Sequence, residues 1–297
     1  MNQIIEQIKT IENLIESDPQ NFINYFNLGN IYRKLRKYDL SLKNFLKSVE
    51  LNKEFYQGYN NLANIYKELK NTENSIKFFK KAIEINPNYI SALYNLGIVY
   101  SEIGEYQESA AYFKKILKID PNHVATLNNF GLLLKNIREY DAAIKCFEKI
   151  IHIDGHFSKA YNNIGTIALE LGDIKTAIAN YEKVIELNPD NFIPYKNLLA
   201  VYENSNQVEN YKKILKLSKK KFPGEKILEL YTGILLFRKK KFQDSIKRLN
   251  KVNFEKENEI EIKRNFFLAR SYDQLDKTNK AFEYFTEANI LDSNSVD

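Results

Sequence analysis

Amide side chains recur in this sequence at a spacing that catalytic groups do not share. Asn27, Asn61, Asn95, Asn129, Asn163 and Asn197 follow one another at intervals of 34 residues. A carboxamide both donates and accepts hydrogen bonds without carrying charge. An extended polypeptide needs such partners, because its backbone offers one N–H and one C=O per residue whatever its side chains. Polar neighbours widen the row. Asn60, Tyr94, Asn128 and Asn162 stand one residue before it, where Phe26 breaks the polar run, and Asn30 and Asn64 stand three residues after. Arg33, Lys67 and Lys135 lie six residues after it and make its early end mildly basic. These residues are the candidate peptide-binding set. The competing reading is inheritance without use, since asparagine supplies 36 of the 297 residues and repeats copy one another by descent.

Groups for bond-making chemistry are sparse. His152 and His156 are four apart, but Gly155 intervenes where a helix should end, which spoils the spacing as a metal-ligand pair. His123 stands apart from both. Cys146 is the single cysteine, so no intramolecular disulfide or multi-cysteine metal site can form. It reads as a packed thiol. No glycine-rich phosphate loop is present. The expectation is a protein with no catalytic residues, no metal and no cofactor.

The elements that position the amides follow from the same 34-residue grid. Leu28-Gly29, Leu62-Ala63, Leu96-Gly97, Phe130-Gly131, Ile164-Gly165 and Leu198-Leu199 repeat on it, as do Tyr25, Tyr59, Leu93, Leu127, Tyr161 and Tyr195. Units begin at Phe22, Tyr56, Ile90, Val124, Ser158, Phe192 and Lys226. An eighth fits from Ile262 after a two-residue insertion. Within the third unit Leu93, Leu96, Gly97 and Tyr100 fall on one helical face, and Ser109, Phe113, Ile116 and Leu117 on a second. Small residues early in the second helix (Ser41, Ser75, Ser109, Ala143, Ala177) let the two helices approach closely. Pro19, Pro87, Pro121, Pro189 and Pro223 end one unit before the next begins. No unit buries its apolar face alone, so neighbours must stack. In the sixth unit Leu199 and Tyr211 replace the small pair, which predicts that this helix pair splays or shifts.

The pattern resembles the tetratricopeptide repeat family over residues 22–295. The third unit carries most of the motif in Leu96, Gly97, Tyr100, Gly104, Tyr106, Phe113 and Pro121. The resemblance implies an all-α fold, a right-handed superhelical solenoid of about eight helix–turn–helix repeats. Residues 1–21 form a capping helix or degenerate half-repeat, 22–191 five regular units, and 192–297 three irregular ones. It also implies that the first helices, and with them the asparagine row, line a concave surface that binds a protein or extended peptide. The row is similar to that in O-linked N-acetylglucosamine transferases, where such side chains hold a peptide backbone. The carboxylate-clamp pattern of co-chaperones matches only at Lys159, Asn163 and Asn197, because Ile227 and Tyr231 occupy its last two places. Residues 266–289 resemble the last repeat before bacterial sulfotransferase domains. The chain also stops after an apolar second helix with no polar cap. An alternative expectation is therefore the substrate-recruiting front of a longer transferase.

Composition agrees with an interaction module. Ten glycines and six prolines suit long helices, and mean hydropathy is -0.46. No stretch approaches a membrane span and the amino terminus lacks a secretory pattern, so no membrane partner and a cytoplasmic location are expected. The net charge of +6 does not argue for nucleic acid. Residues 212–251 hold 14 Lys and Arg against 3 acidic residues. They are a candidate patch for an acidic partner, against the alternative of a solvated face.

Overall fold

The structure, a computed structural model, describes residues 2–254 and 258–293. Among the described residues there are seventeen helices and no strand. A leading helix, α1 (Asn2–Ser17), precedes four helix pairs: α2 (Phe22–Lys34) with α3 (Tyr38–Leu51), α4 (Tyr56–Glu68) with α5 (Thr72–Ile85), α6 (Ile90–Glu102) with α7 (Tyr106–Ile119), and α8 (Val124–Asn136) with α9 (Tyr140–Ile153). Four more pairs follow: α10 (Ser158–Glu170) with α11 (Ile174–Leu187), α12 (Phe192–Asn204) with α13 (Val208–Lys221), α14 (Ile227–Arg238) with α15 (Phe242–Leu249), and α16 (Asn258–Asp273) with α17 (Thr278–Ser293). No helix of the described residues is long and apolar enough to cross a membrane. Residues 294–297 of the carboxy-terminal tail lie outside the described residues.

Six first helices begin where the grid predicts. The seventh begins one residue late, at Ile227, and the eighth is already helical at Asn258, before the expected Ile262. Local chemistry explains the second shift. Helix α15 has only 8 residues, and after it Val252 and Phe254 turn into the core. Glu261 then accepts the Phe254 N–H at 2.9 Å, which fixes the entry to α16 independently of the repeat period.

The chain forms two compact units, residues 1–160 and 161–297. In the first, Phe45, Phe79, Phe113 and Phe147 are fully buried at 34-residue intervals, each on the small residue of its paired first helix. Truncating one such ring to alanine costs about 3–5 kcal/mol by lost transfer and cavity formation. Between units, the side chains of Asn52, Asn86, Asp120 and Asp154 each accept the N–H two residues on, at 2.9–3.2 Å. These short turns bring each second helix directly into the next first helix. First helices α4, α6 and α8 also touch one another, so their row is continuous within this unit.

Within each pair the first helix ends in a left-handed residue: Arg36, Lys70, Gly104, Arg138, Gly172, Asn206, Lys240 and Asp276, with φ between 56° and 84°. In the second unit Tyr181 packs on Gly165 and Leu249 on Gly233, which continues the pattern. Leu199 and Tyr211 are fully buried where other pairs hold small residues, and α12 and α13 are apposed over less of their length than the regular pairs.

Candidate functional site

The asparagines of the row sit on first helices, flanked by core positions. Asn27 is exposed, and Asn61, Asn95, Asn129, Asn163 and Asn197 are half-buried. The helical period explains the placement: in α6, Asn95 lies between Leu93 and Leu96, which are fully buried, so its amide emerges at the edge of the core stripe.

In the first unit the amides are bonded to one another. Asn61 Nδ2 donates to Asn30 Oδ1 (2.9 Å), Asn60 Nδ2 to Asn61 Oδ1 (3.2 Å), and Asn95 Nδ2 to Asn60 Oδ1 (3.3 Å). A chain of amides therefore ties α2 to α4 and α4 to α6. It continues in kind where Asn129 Nδ2 donates to the Tyr94 hydroxyl at 2.7 Å and Asn128 Nδ2 reaches Asn129 Oδ1 at 3.4 Å. Burial pushes the Tyr94 phenol up, and the Asn129 amide partly offsets it. Asn128 Oδ1 is buried without a hydrogen-bond partner among the described residues. In the second unit Asn197 Nδ2 reaches Asn162 Oδ1, also at 3.4 Å. The four donors that cross between repeats, Asn61, Asn95, Asn129 and Asn197, all point back toward the preceding repeat. Sequence reasoning placed these residues on one strip but missed their mutual bonding. The signal was available: residues 35 apart that are both polar face each other across adjacent first helices.

One amide of the row stands differently. Asn27 and Asn30 line an open cleft of about 740 Å³ with Gln3, Gln7 and Thr10 of α1. Asn64 is half-buried on α4. Phe26, beside the row, packs on Phe45 and Phe55.

The other sequence candidates resolve as follows. His156 is exposed, 3.9 Å from Asp154. Burial pushes the Cys146 thiol up to about 11, so it stays protonated at neutral pH. The basic stretch divides into paired and unpaired residues. Lys219 and Arg248 flank Glu229 (2.7 and 3.0 Å), Lys221 meets Asp190 (3.1 Å), and Arg238 meets Glu203 (3.0 Å). Glu203 is buried and also accepts from Lys263 at 2.5 Å, which joins α12, α14 and α16.

Comparison with known proteins agrees with this architecture. Tetratricopeptide repeat models match residues 56–122, 158–191, and 10–43 with 112–145, together more than half of the chain. No curated protein sequence matches it. Among solved structures, YrrB, described as a TPR protein with an unusual peptide-binding site, is 21% identical over 62% of this chain and 95% of its own, with a TM-score of 0.54. MamA is 22% identical over 55% and 95%, with a TM-score of 0.52. A tetratricopeptide repeat protein from Parabacteroides merdae covers 85% of this chain and 99% of its own at 15% identity, with a TM-score of 0.60. At these identities the shared property is the fold. Paired helices on a fixed grid and family models matched along that grid agree: the chain belongs to the tetratricopeptide repeat proteins.

Proposed function

We propose that this protein is an interaction module whose first-helix amide row holds an extended segment of a partner polypeptide by its backbone. The observation that carries the reading is the half-buried, pre-bonded state of Asn61, Asn95 and Asn129. Each amide has two N–H donors and two acceptor sites, and the bonds to neighbouring repeats use only part of that capacity. Those bonds hold the side chains in place, so a ligand need not order them, which lowers the entropic cost of binding. The peptide-binding site named for YrrB, and the similarity of the row to that of O-linked N-acetylglucosamine transferases, support the same reading. No group on the row is suited to bond-making, so the role is recognition rather than catalysis.

The test begins with peptides selected by display against the full chain. Replacing Asn61, Asn95 and Asn129 together by alanine should weaken a selected peptide by about 2–4 kcal/mol, roughly thirty- to a thousandfold, at about 0.5–1.5 kcal/mol per net hydrogen bond. N-methylation of alternate backbone amides in the peptide should weaken binding similarly. Binding indifferent to N-methylation would mean that the backbone is not what the row reads.

A further inference from the structure

At the sixth repeat the close pairing of helices gives way, and a cleft opens beside the break. Leu199 and Tyr211 are fully buried at positions that in α6 and α7 are Gly97 and Ser109. Tyr211 does not fold back on its own pair. Its hydroxyl donates to the Tyr231 carbonyl oxygen at 2.6 Å, on α14. This hydrogen bond ties α13 to α14, and two large side chains stand between α12 and α13. On the other side of α13, helices α11, α12 and α13 enclose a cleft of about 430 Å³, within the range of ligand clefts, roughly 300–1,000 Å³. Leu198 and Tyr202 are buried at its base, and Ile185, Ile214 and Leu217 line it. Leu217 is 46% exposed, a large aliphatic side chain left at the opening.

The charges around this cleft are not evenly spent. Glu182 at the rim already accepts the Tyr202 hydroxyl at 3.2 Å. Lys219 and Lys221 are paired with Glu229 and Asp190, and Lys212 stands 3.9 Å from Glu209. Lys213, Lys216 and Lys220 are exposed and have no acidic partner among the described residues. They fall at i, i+3 and i+7, one edge of α13, and Lys213 lines the cleft itself. These three lysines, among the exposed cations of a basic stretch, run alongside the apolar opening.

We infer that this cleft and its lysine edge dock an acidic amphipathic segment of a partner protein. Its apolar side chains enter between Ile185, Ile214 and Leu217, and its carboxylates lie along Lys213, Lys216 and Lys220. An apolar floor beside a single-sign edge suits a ligand that carries both features at helical spacing. Single-stranded nucleic acid instead requires exposed aromatic platforms for its bases, whereas this surface is aliphatic and its one tyrosine, Tyr202, is buried. The inference rests on the break at Tyr211 and stands apart from the amide row.

The experiment uses the full chain and four fluorescein-labelled probes: a model helical peptide of leucine on one face and glutamate on the other, the same peptide with serine for leucine, the same with lysine for glutamate, and a uridine oligonucleotide. Fluorescence anisotropy should show the leucine–glutamate peptide binding, with both peptide changes weakening it by at least about tenfold. In the protein, Leu217→Asp and Lys213→Glu should each have an effect of that size, with helicity and melting temperature retained because both side chains are exposed. Asn61→Ala with Asn95→Ala should leave this binding unchanged. The proposal is overturned if the peptide does not bind, if the serine version binds as well, or if Leu217→Asp has no effect. It is also overturned if the oligonucleotide binds more tightly than the peptide. Loss of binding in the asparagine variant alone would place the peptide on the amide row, sinking this proposal and leaving the row standing.

Discussion

Ser109 Oγ donates a 2.7 Å hydrogen bond to the carbonyl oxygen of Gly97, twelve residues earlier and across the α6–α7 pair. Ser41 and Ser245 do the same to Gly29 and Gly233. Ser75 occupies the same position in its unit, is equally buried, and has no hydrogen-bond partner among the described residues. Two identical substitutions should therefore differ in sign. Ser109→Ala should cost about 0.5–1.5 kcal/mol, whereas Ser75→Ala removes a stranded hydroxyl and should be neutral or stabilising. Urea melts of the two variants measure the difference, and equal losses would contradict it.

Gly97 also sets how close the helices come. A Cβ built there would stand 2.7 Å from Phe113 Cε1. Gly97→Ala should destabilise by about 1–3 kcal/mol through overpacking, despite the gain in helix propensity. Phe113→Leu in the same chain should recover part of the loss, a coupling that a double-mutant cycle in thermal unfolding reads directly.

Glu203 presents a different asymmetry. Its side chain is 6% exposed, while those of Arg238 and Lys263 are 33% and 30% exposed. Removing both cations (Arg238→Ala with Lys263→Ala) strands a buried carboxylate and should cost about 3–5 kcal/mol. Glu203→Gln leaves two cations that reach water, so it should cost less. Chemical denaturation of the two variants checks the order.

Glu229 gives the pH dependence. Burial works against its ionised form, but Lys219 and Arg248 outweigh burial and hold its carboxyl below the usual carboxylate range. A folded-state value below the unfolded one means that the stabilisation is complete above the ordinary carboxylate range. It is lost as pH falls through the lowered value. The melting temperature of Glu229→Gln should lie below that of the parent at neutral pH, and the gap should close in acid. A gap independent of pH would remove the assignment.

The fold was legible because a period of 34 residues placed a small residue and a large ring at fixed offsets, and only helix pairs in close contact satisfy both. Where that constraint lapses, legibility lapses too. Ahead of its expected start α16 is already helical, and Glu261 captures the Phe254 N–H, a contact that no periodic pattern encodes. The departure at Leu199 and Tyr211 was visible as bulk in the wrong place, but the cleft beside α13 was not, since its lining comes from three separate helices, α11, α12 and α13. The asparagine row was visible as a row. That its members bond across repeats depends on the facing of residues 35 apart, a tertiary relationship rather than a local one.

The left-handed residues that close the first helices carry a consequence for how the array comes apart. Six of them, Arg36, Lys70, Arg138, Asn206, Lys240 and Asp276, have side chains, and only Gly104 and Gly172 do not. A side chain in that conformation costs about 1–2 kcal/mol, a cost glycine avoids. Because each repeat leans mainly on its neighbours, relief at one turn stays near that turn. Glycine at Arg36 and Lys70 would harden the amino-terminal repeats, and glycine at Lys240 and Asp276 the carboxy-terminal ones. The end from which the array frays should then follow these substitutions at turns outside the core, and hydrogen exchange would show the fraying front change ends.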